Sequence, residues 1–467
     1  VLSFFNENDR KAFIALAKLK GGVILDQMNM GHAVRLRCKD REWLDELIRE
    51  APHPVDSSPN FYVRVPEGFG PSPEGLEFAY RPFGSQALRW LGIVGDSSAW
   101  GKGIMVAVLD TGVGSSAALE ESNIVRVTEP SLASDNGAFN GHGTAVASLL
   151  AGATADMAGV APASQILSIQ VLGSDGSGDT FTVAKGIVDA ADRGARIINL
   201  SLGTHSDGFL LEQAVDYAEE KGAVLVAAVG NDGADGVLYP ARYDGVLAVS
   251  AVDMTGRYLS FANRGPEVDL AAPGLGVTTA SAGESITFSS GTSVAVPFVS
   301  GALAALFSQN PQMTTGEALD ILCKYASDTG QPGKDSETGS GILNVGWALN
   351  RNASGVYDVS VCTPYLHPRK SRDDDVIVTT YVQNRGTEDL RHVQLKVALG
   401  NTEQTLDFYN LAVGKTAGHD FLVDPAKMRE PSGVAVTCTA TIDGAPDINP
   451  ADNTGKTTLY LRPESKP

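Results

Sequence analysis

An α/β architecture, with a parallel sheet covered by helices on both faces, is predicted for the middle of this chain, flanked by a small α+β unit before it and a β-sandwich after it. Three observations predict it. Near-continuous apolar runs at residues 104–109, 166–172, 196–200, 223–229 and 246–251 alternate with helical stretches such as 182–193 and 209–221, and strands buried on both faces lose the usual in-and-out alternation. Residues 1–66 mix helical and strand periodicities, whereas the region from about 356 to 461 carries only short alternating strands between turns. The 467 residues hold 36 Lys and Arg against 55 Asp and Glu, a formal charge of -19. That balance argues against phosphate backbones and anionic lipid as partners. The longest apolar run, 294–307, contains Pro297, Ser300 and Gly301 and falls short of the ~18 residues of a membrane span. Neither nucleic-acid binding nor membrane insertion is expected.

Taken in order, residues 9–19 have helical spacing, 22–25 and 33–36 read as strands, 40–49 places Trp43, Leu44, Leu47 and Ile48 on one helix side, and 61–65 reads as a further strand. These make a first unit over 1–66. Residues 67–84 collect Gly68, Gly70, Pro71, Pro73, Gly75, Pro82 and Gly84, a density of breakers that reads as a linker. The α/β unit spans 85–352. Strands at 376–382, 392–399, 405–409, 434–442 and 456–461, with a turn at Asn384-Arg385-Gly386, predict an immunoglobulin-like sandwich over 353–467. Four cysteines are too few for a disulfide framework or zinc cluster. Cys362 and Cys438 share the last region, and spacing alone leaves a bridge between them open. With Val1 first, a secretion signal is expected to have been removed or left out.

In parallel sheets, ligands bind beyond the carboxyl ends of the strands. Val106-Ala-Val-Leu-Asp110 ends an apolar strand on a carboxylate, Gly141-His142-Gly143-Thr144 opens a helical run, and Ser290-Gly-Thr-Ser293-Val-Ala-Val-Pro297 places a serine at the start of another. A serine hydroxyl becomes an effective nucleophile when an imidazole can take its proton, and the imidazole needs a carboxylate to fix its tautomer. Alone, Ser293 would be an ordinary helix N-cap and His142 a surface histidine. Together, in the order Asp…His…Ser, they define a catalytic set. An α/β-hydrolase elbow is excluded, because Gly291-Thr-Ser293-Val-Ala295 lacks the second glycine and that fold uses the order Ser…Asp…His. His205 reads as a loop histidine, and Asp373-Asp374-Asp375 as a solvated turn.

These motifs resemble the subtilisin-like serine proteases, or subtilases, over roughly residues 86–349. The resemblance implies that Asp110 orients the base, His142 is general base and acid, and Ser293 attacks the scissile carbonyl. Asn231, in Val229-Gly230-Asn231, would donate to the oxyanion beside the Ser293 N–H. Gly176-Ser177-Gly178 and Ser201-Leu202-Gly203 match the edges that hold substrate as an added strand. Leu238-Tyr239-Pro240 matches the pocket for the residue before the cut, and Leu238, larger than in many relatives, implies a shallow pocket for small or medium apolar residues. Thr180 falls where relatives often carry an aromatic lid. No cofactor is implied. Calcium as a structural ion is left open, but the family's strong site is expected to be absent: Leu119 stands at the acidic ligand position and the loop 152–159 is short.

The first unit resembles the subtilase propeptide, a ferredoxin-like β-α-β-β-α-β element that assists folding and lays its last strand in the cleft. A maturation cut would then fall between Pro66 and Gly84. The implied partners are protein or peptide substrates and the chain's own propeptide, and the implied location is extracellular, with periplasm or cell surface as variants. The alternative is a persistently inhibited protease acting mainly as a protein-binding module.

Overall fold

The computed structural model describes residues 1–66, 80–93, 95–119, 123–128, 141–281, 286–366 and 375–459. The first unit runs β1 (Leu2–Ser3), α1 (Glu7–Leu19), β2 (Val23–Met28), β3 (Ala33–Arg37), α2 (Arg41–Glu50) and β4 (Asp56–Ser57). Its strands form an antiparallel sheet in the order β2-β3-β1-β4, the arrangement of a split βαβ unit. Both helices start on side-chain caps: Asn6 accepts from the Asn8 and Asp9 amides, and Asp40 from the Trp43 amide. Phe13, Ala17 and Leu47 pack from the helices onto Leu2 and Val34. The strand read at 61–65 does not belong to this sheet: β5 (Tyr62–Arg64) leaves it and pairs elsewhere. The fourth sheet strand is β4, whose two polar residues leave no period to read.

The middle region opens with the short α3 (Ala87–Trp90) and continues through β6 (Met105–Asp110), β7 (Asn123–Thr128), α4 (His142–Ala151), the hairpin β8 (Ala153–Thr154) and β9 (Met157–Ala158), then β10 (Gln165–Gln170), β11 (Ser177–Asp179), α5 (Thr180–Asp192), β12 (Ile197–Leu200), α6 (Phe209–Glu220), β13 (Val224–Ala228), β14 (Val246–Val252), β15 (Val268–Pro273), β16 (Val277–Ala280), β17 (Ile286–Ser289), α7 (Thr292–Gln309), α8 (Thr315–Lys324) and α9 (Val345–Asn350). Seven strands form the parallel sheet, in the order β15-β14-β13-β12-β6-β10-β7. Successive residues serve opposite faces. Val106, Val108, Val224 and Val226 pack in one core with α4 and α7, whereas Ala107, Leu109, Leu225 and Ala227 pack in the other with α5 and α6. Because both faces are covered, the strands read as continuous apolar runs.

Two strands of this sheet escaped the sequence reading. β7 lies at the edge and is partly exposed. β15 carries Asp269, whose carboxylate accepts the Ala248 amide at a register shift between Ala248 and Val249. The apolar run at 294–307, read as interrupted, is part of the continuous helix α7, with Pro297 inside it. Among the described residues it is the one helix long and apolar enough to cross a membrane, and 89% of that stretch is buried inside the protein. Leu119 is buried beside Val113 and Ala147.

The last region contains β18 (Val359–Val361), β19 (Tyr365–Leu366), β20 (Val376–Asn384), β21 (Leu390–Leu399), β22 (Thr402–Leu411), β23 (Thr416–Val423), α10 (Pro425–Arg429), β24 (Val434–Ile442) and β25 (Thr454–Leu459). In one sheet β20 pairs with β18, β19 and β23, and the other has the order β22-β21-β24-β25. Val359 and Val382 from the first sheet meet Leu395, Val397 and Val436 from the second, which makes a β-sandwich. Cys362 and Cys438 are both buried free thiols rather than a bridge, and burial pushes them up to about 12 and about 11 respectively. The expected linker falls mostly on residues 67–79, outside the described residues, as do Asp373 and Asp374 of the acidic turn.

Candidate active site

β6 ends on Asp110, which is 0% exposed. Its Oδ1 accepts the Thr111 amide at 2.7 Å, and its two oxygens lie 2.8 and 2.9 Å from His142 Nδ1. A carboxylate with both oxygens on Nδ1 requires the proton on that nitrogen, which leaves Nε2 as the basic atom. His142 opens α4 between two glycines. Gly141 has φ 89°, and a Cβ on Gly143 would lie 2.4 Å from the Gly112 carbonyl oxygen. The approach of α4 to the end of β6 therefore requires a residue without a side chain there.

Ser293 is the second residue of α7 and 2% exposed. The first amides of a helix have no intrahelical acceptor, and the dipole there favours negative charge. Asn231 follows β13 and stands against the same helix start. Its Oδ1 accepts the Thr292 amide and hydroxyl, both at 2.9 Å, which orients the amide so that Nδ2 is free to donate. A Cβ on Gly291 (φ 139°) would lie 2.8 Å from Asn231 Nδ2 and 3.2 Å from Ser293 Oγ, so these two groups share one small space. α4 and α7 pack against each other, which puts the two helix starts carrying His142 and Ser293 on one side of the sheet.

Pro297 has no N–H and cannot bond the carbonyl four residues back. That carbonyl belongs to Ser293, and it accepts from Ser201 Oγ at 2.8 Å. Ser201 Oγ accepts from Asn199 Nδ2 at 3.0 Å, and Asn199 Oδ1 accepts from Ser300 Oγ at 2.9 Å. This buried chain holds the first turns of α7 to β12. Thr292, Asn199 and Ser300 were not picked out from sequence; a polar Asn199 within the apolar run 197–200 was the available signal.

The edge segments meet a strand, and it comes from this chain. β5 pairs antiparallel with β11: Ser177 stands opposite Arg64, Gly178 opposite Val63 and Asp179 opposite Tyr62. On its other side, Arg64 and Gly203 exchange both backbone bonds, at 3.1 and 2.9 Å, and the Val65 amide donates to the Gly176 carbonyl at 3.0 Å. The strand continues to Pro66, which is buried and whose carbonyl oxygen accepts from Asn231 Nδ2 at 2.9 Å. Leu238 fills the space between Gly203 and Gly230, and Tyr239 exchanges backbone bonds with Thr204. Thr180, at the expected lid position, is buried; its hydroxyl accepts the Phe61 amide and donates to Asn60 Oδ1. Of the second edge, only Gly203 bonds this strand, Leu202 being buried in the core and the Ser201 side chain lying under Ser293. Pro240 makes no described bond to it. His205 is exposed, 3.5 Å from Asp232.

An Asp–His pair at one strand end, with a buried serine and an amide donor at a nearby helix start, defines a serine hydrolase in which main-chain pairing presents a peptide carbonyl. Residues 101–341 match the model of the Subtilase family, and the chain belongs to that family. It is 40% identical over 253 residues to the "Thermostable alkaline protease" of Halalkalibacterium halodurans, covering 53% of this chain and 68% of that protein. It is 36% identical to "Subtilisin Savinase" of Lederbergia lenta, covering 52% and 90%. The solved protease domain of PatA, as its S218A mutant, superimposes with a TM-score of 0.50 at 30% identity, over 55% of this chain and 97% of that one. The chain is thus a subtilisin-like serine protease, a hydrolase of peptide bonds.

Proposed function

We propose that this chain is the zymogen of a secreted serine endopeptidase, with 1–66 as its folding-assisting and inhibitory propeptide, 67–84 as linker, 85–352 as the catalytic unit and 353–467 as an immunoglobulin-like module. His142 Nε2 takes the Ser293 Oγ proton as Oγ attacks the carbonyl carbon. The oxyanion is held by Asn231 Nδ2 and the Ser293 N–H, and His142 then protonates the leaving amine. Water, activated by the same imidazole, hydrolyses the acyl-enzyme. Loss of one such donor in a subtilisin costs roughly 10²–10³-fold in turnover. No step calls for a cofactor.

The observation that carries this reading is the 2.9 Å bond from Asn231 Nδ2 to the Pro66 carbonyl. A carbonyl resting on the oxyanion donor marks the bond after it, Pro66–Glu67, as the one presented to Ser293. Leu238 beneath the pocket accords with a preference for small or medium apolar residues. The test is intact mass over time: wild type sheds 1–66, while Ser293→Ala remains whole and loses peptidase activity by at least ~10⁴-fold. Equal shedding by both would sink the assignment of Ser293.

A second reading, a protease that stays inhibited and serves as a binding module, is favoured by the docking of the first unit. Arg35 donates to Asp179 at 2.5 Å and Thr182 at 3.1 Å, and Met28 and Ala33 join the core of the middle region. A wild-type chain that keeps its full mass and cleaves no added peptide would decide for it.

A further inference from the structure

Far from the catalytic residues, three carboxylates converge where the sandwich meets the catalytic unit. Asp358 immediately precedes β18, while Asp447 and Asp452 lie in the loop between β24 and β25. One oxygen from each falls within 4.8 Å of the others. Oxygens bound to one calcium ion at ~2.4 Å stand no further apart than about that distance.

Three like charges meeting here need a reason. Asp358 is 8% exposed, and its Oδ1 is buried with no hydrogen-bond partner; Asp452 Oδ1 is in the same state. Buried carboxylate oxygens are ordinarily satisfied, and an orphan costs free energy. Among the described residues, Arg385 is the cation paired with the cluster, reaching Asp452 Oδ2 at 3.6 Å, and one such charge cannot balance three carboxylates.

The backbone holds the three in place. Asp447 accepts the Val359 and Asn449 amides at 2.9 and 2.8 Å, the Val361 amide donates to the Asp452 carbonyl at 2.9 Å, and the Ile448 amide donates to the Tyr357 carbonyl at 3.0 Å. The loop is thereby fixed to β18 before any ion arrives. Asp358 and Asp452 also line a cleft of ≈ 950 Å³ whose opposite wall, including Trp90 and Trp347, comes from the catalytic unit, which supplies an entry path.

We propose that Asp358, Asp447 and Asp452 bind a hard divalent cation, calcium by its oxygen donors, which ties the β24–β25 loop to β18 at the joint between sandwich and catalytic unit. The ion neutralises the converging carboxylates and supplies the orphan oxygens with a partner. Its removal lowers the stability of the β24–β25 loop against β18, not that of the catalytic residues.

The test uses the full chain as Ser293→Ala, so that it stays in one piece, titrated with calcium chloride after chelation and followed by calorimetry and thermal unfolding. One calcium site is expected, with a Tm gain over the chelated protein. Adding Asp358→Asn weakens binding at least tenfold and removes the Tm gain. Asp447→Asn, at a half-exposed position, does the same and serves if Asp358→Asn does not fold. Calcium binding and Tm gain that persist in these variants, or a parent chain that binds no calcium at millimolar concentration, overturn the proposal.

Discussion

Where residues 1–66 meet the catalytic unit, charges and a borrowed strand hold the contact: Arg35 on Asp179, Lys185 on Asp26 at 3.2 Å, and β5 in the cleft. Where the sandwich meets it, beside the acidic cluster, a set of neutral hydrogen bonds ties the two together. Gln383 accepts the Asp328 amide at 2.9 Å and donates to the Ala326 carbonyl at 3.0 Å, Tyr381 donates to the Gly330 carbonyl, and Trp347 Nε1 donates to the Gly386 carbonyl. Ion pairs weaken with salt and leave water-soluble surfaces when they part. Buried neutral bonds expose unsatisfied groups if they separate. The first contact is suited to release and the second to permanence.

The sharpest way to break this contrast is Gln383→Ala, which orphans the Asp328 amide and the Ala326 carbonyl inside the joint. Stability should fall by about 2–4 kcal/mol, read as a Tm loss that added salt leaves unchanged; a loss below about 0.5 kcal/mol would show that the joint is not held there. Arg35→Ala removes one partner of a half-buried pair and should weaken the hold on the first unit by about 2 kcal/mol, roughly 30-fold faster release of the cleaved fragment. Release unchanged in native mass spectrometry would show that Arg35 does not hold the first unit.

A third prediction concerns pH. Burial raises the Asp328 carboxyl to about 7, so the native state holds a proton there that the unfolded chain has already released above about pH 4. Stability from this group is therefore lost as pH rises from about 4 through about 7. Asp328→Asn, which keeps an oxygen for the Gly333 amide, should raise Tm by a few degrees near pH 8 and flatten that slope. An unchanged slope would mean another group carries it.

What could be read from sequence depended on how local the signal was. Asp110, His142 and Ser293 each end an apolar run or open a helix, so short motifs singled them out, and the subtilase resemblance added Asn231. The strand at 61–65 was legible as a strand, but its partner was not, because pairing with β11 spans more than a hundred residues. The edge strand β7, the polar β23 and the two-residue β4 lacked a clear period. The chain from Ser300 through Asn199 and Ser201 to the Ser293 carbonyl has no sequence signature at all, since its members meet only after α7 packs on the sheet. The converging Asp358, Asp447 and Asp452 were hidden for the same reason.

If residues 1–66 act as the proposed inhibitor, β5 in the cleft also sets how inhibition scales with protein concentration. On the proposed reading, while β5 and the catalytic unit share one chain the strand meets the cleft intramolecularly, at an effective concentration that does not depend on the bulk concentration. A cut after Pro66 makes the same contact bimolecular. Occupancy then depends on how much of both fragments is present, and falls when they are diluted. A cut after Pro66 would leave the backbone bonds of Arg64 with Gly203 and of Val65 with Gly176 available to re-form, so on that reading dilution would separate a dormant enzyme from an active one.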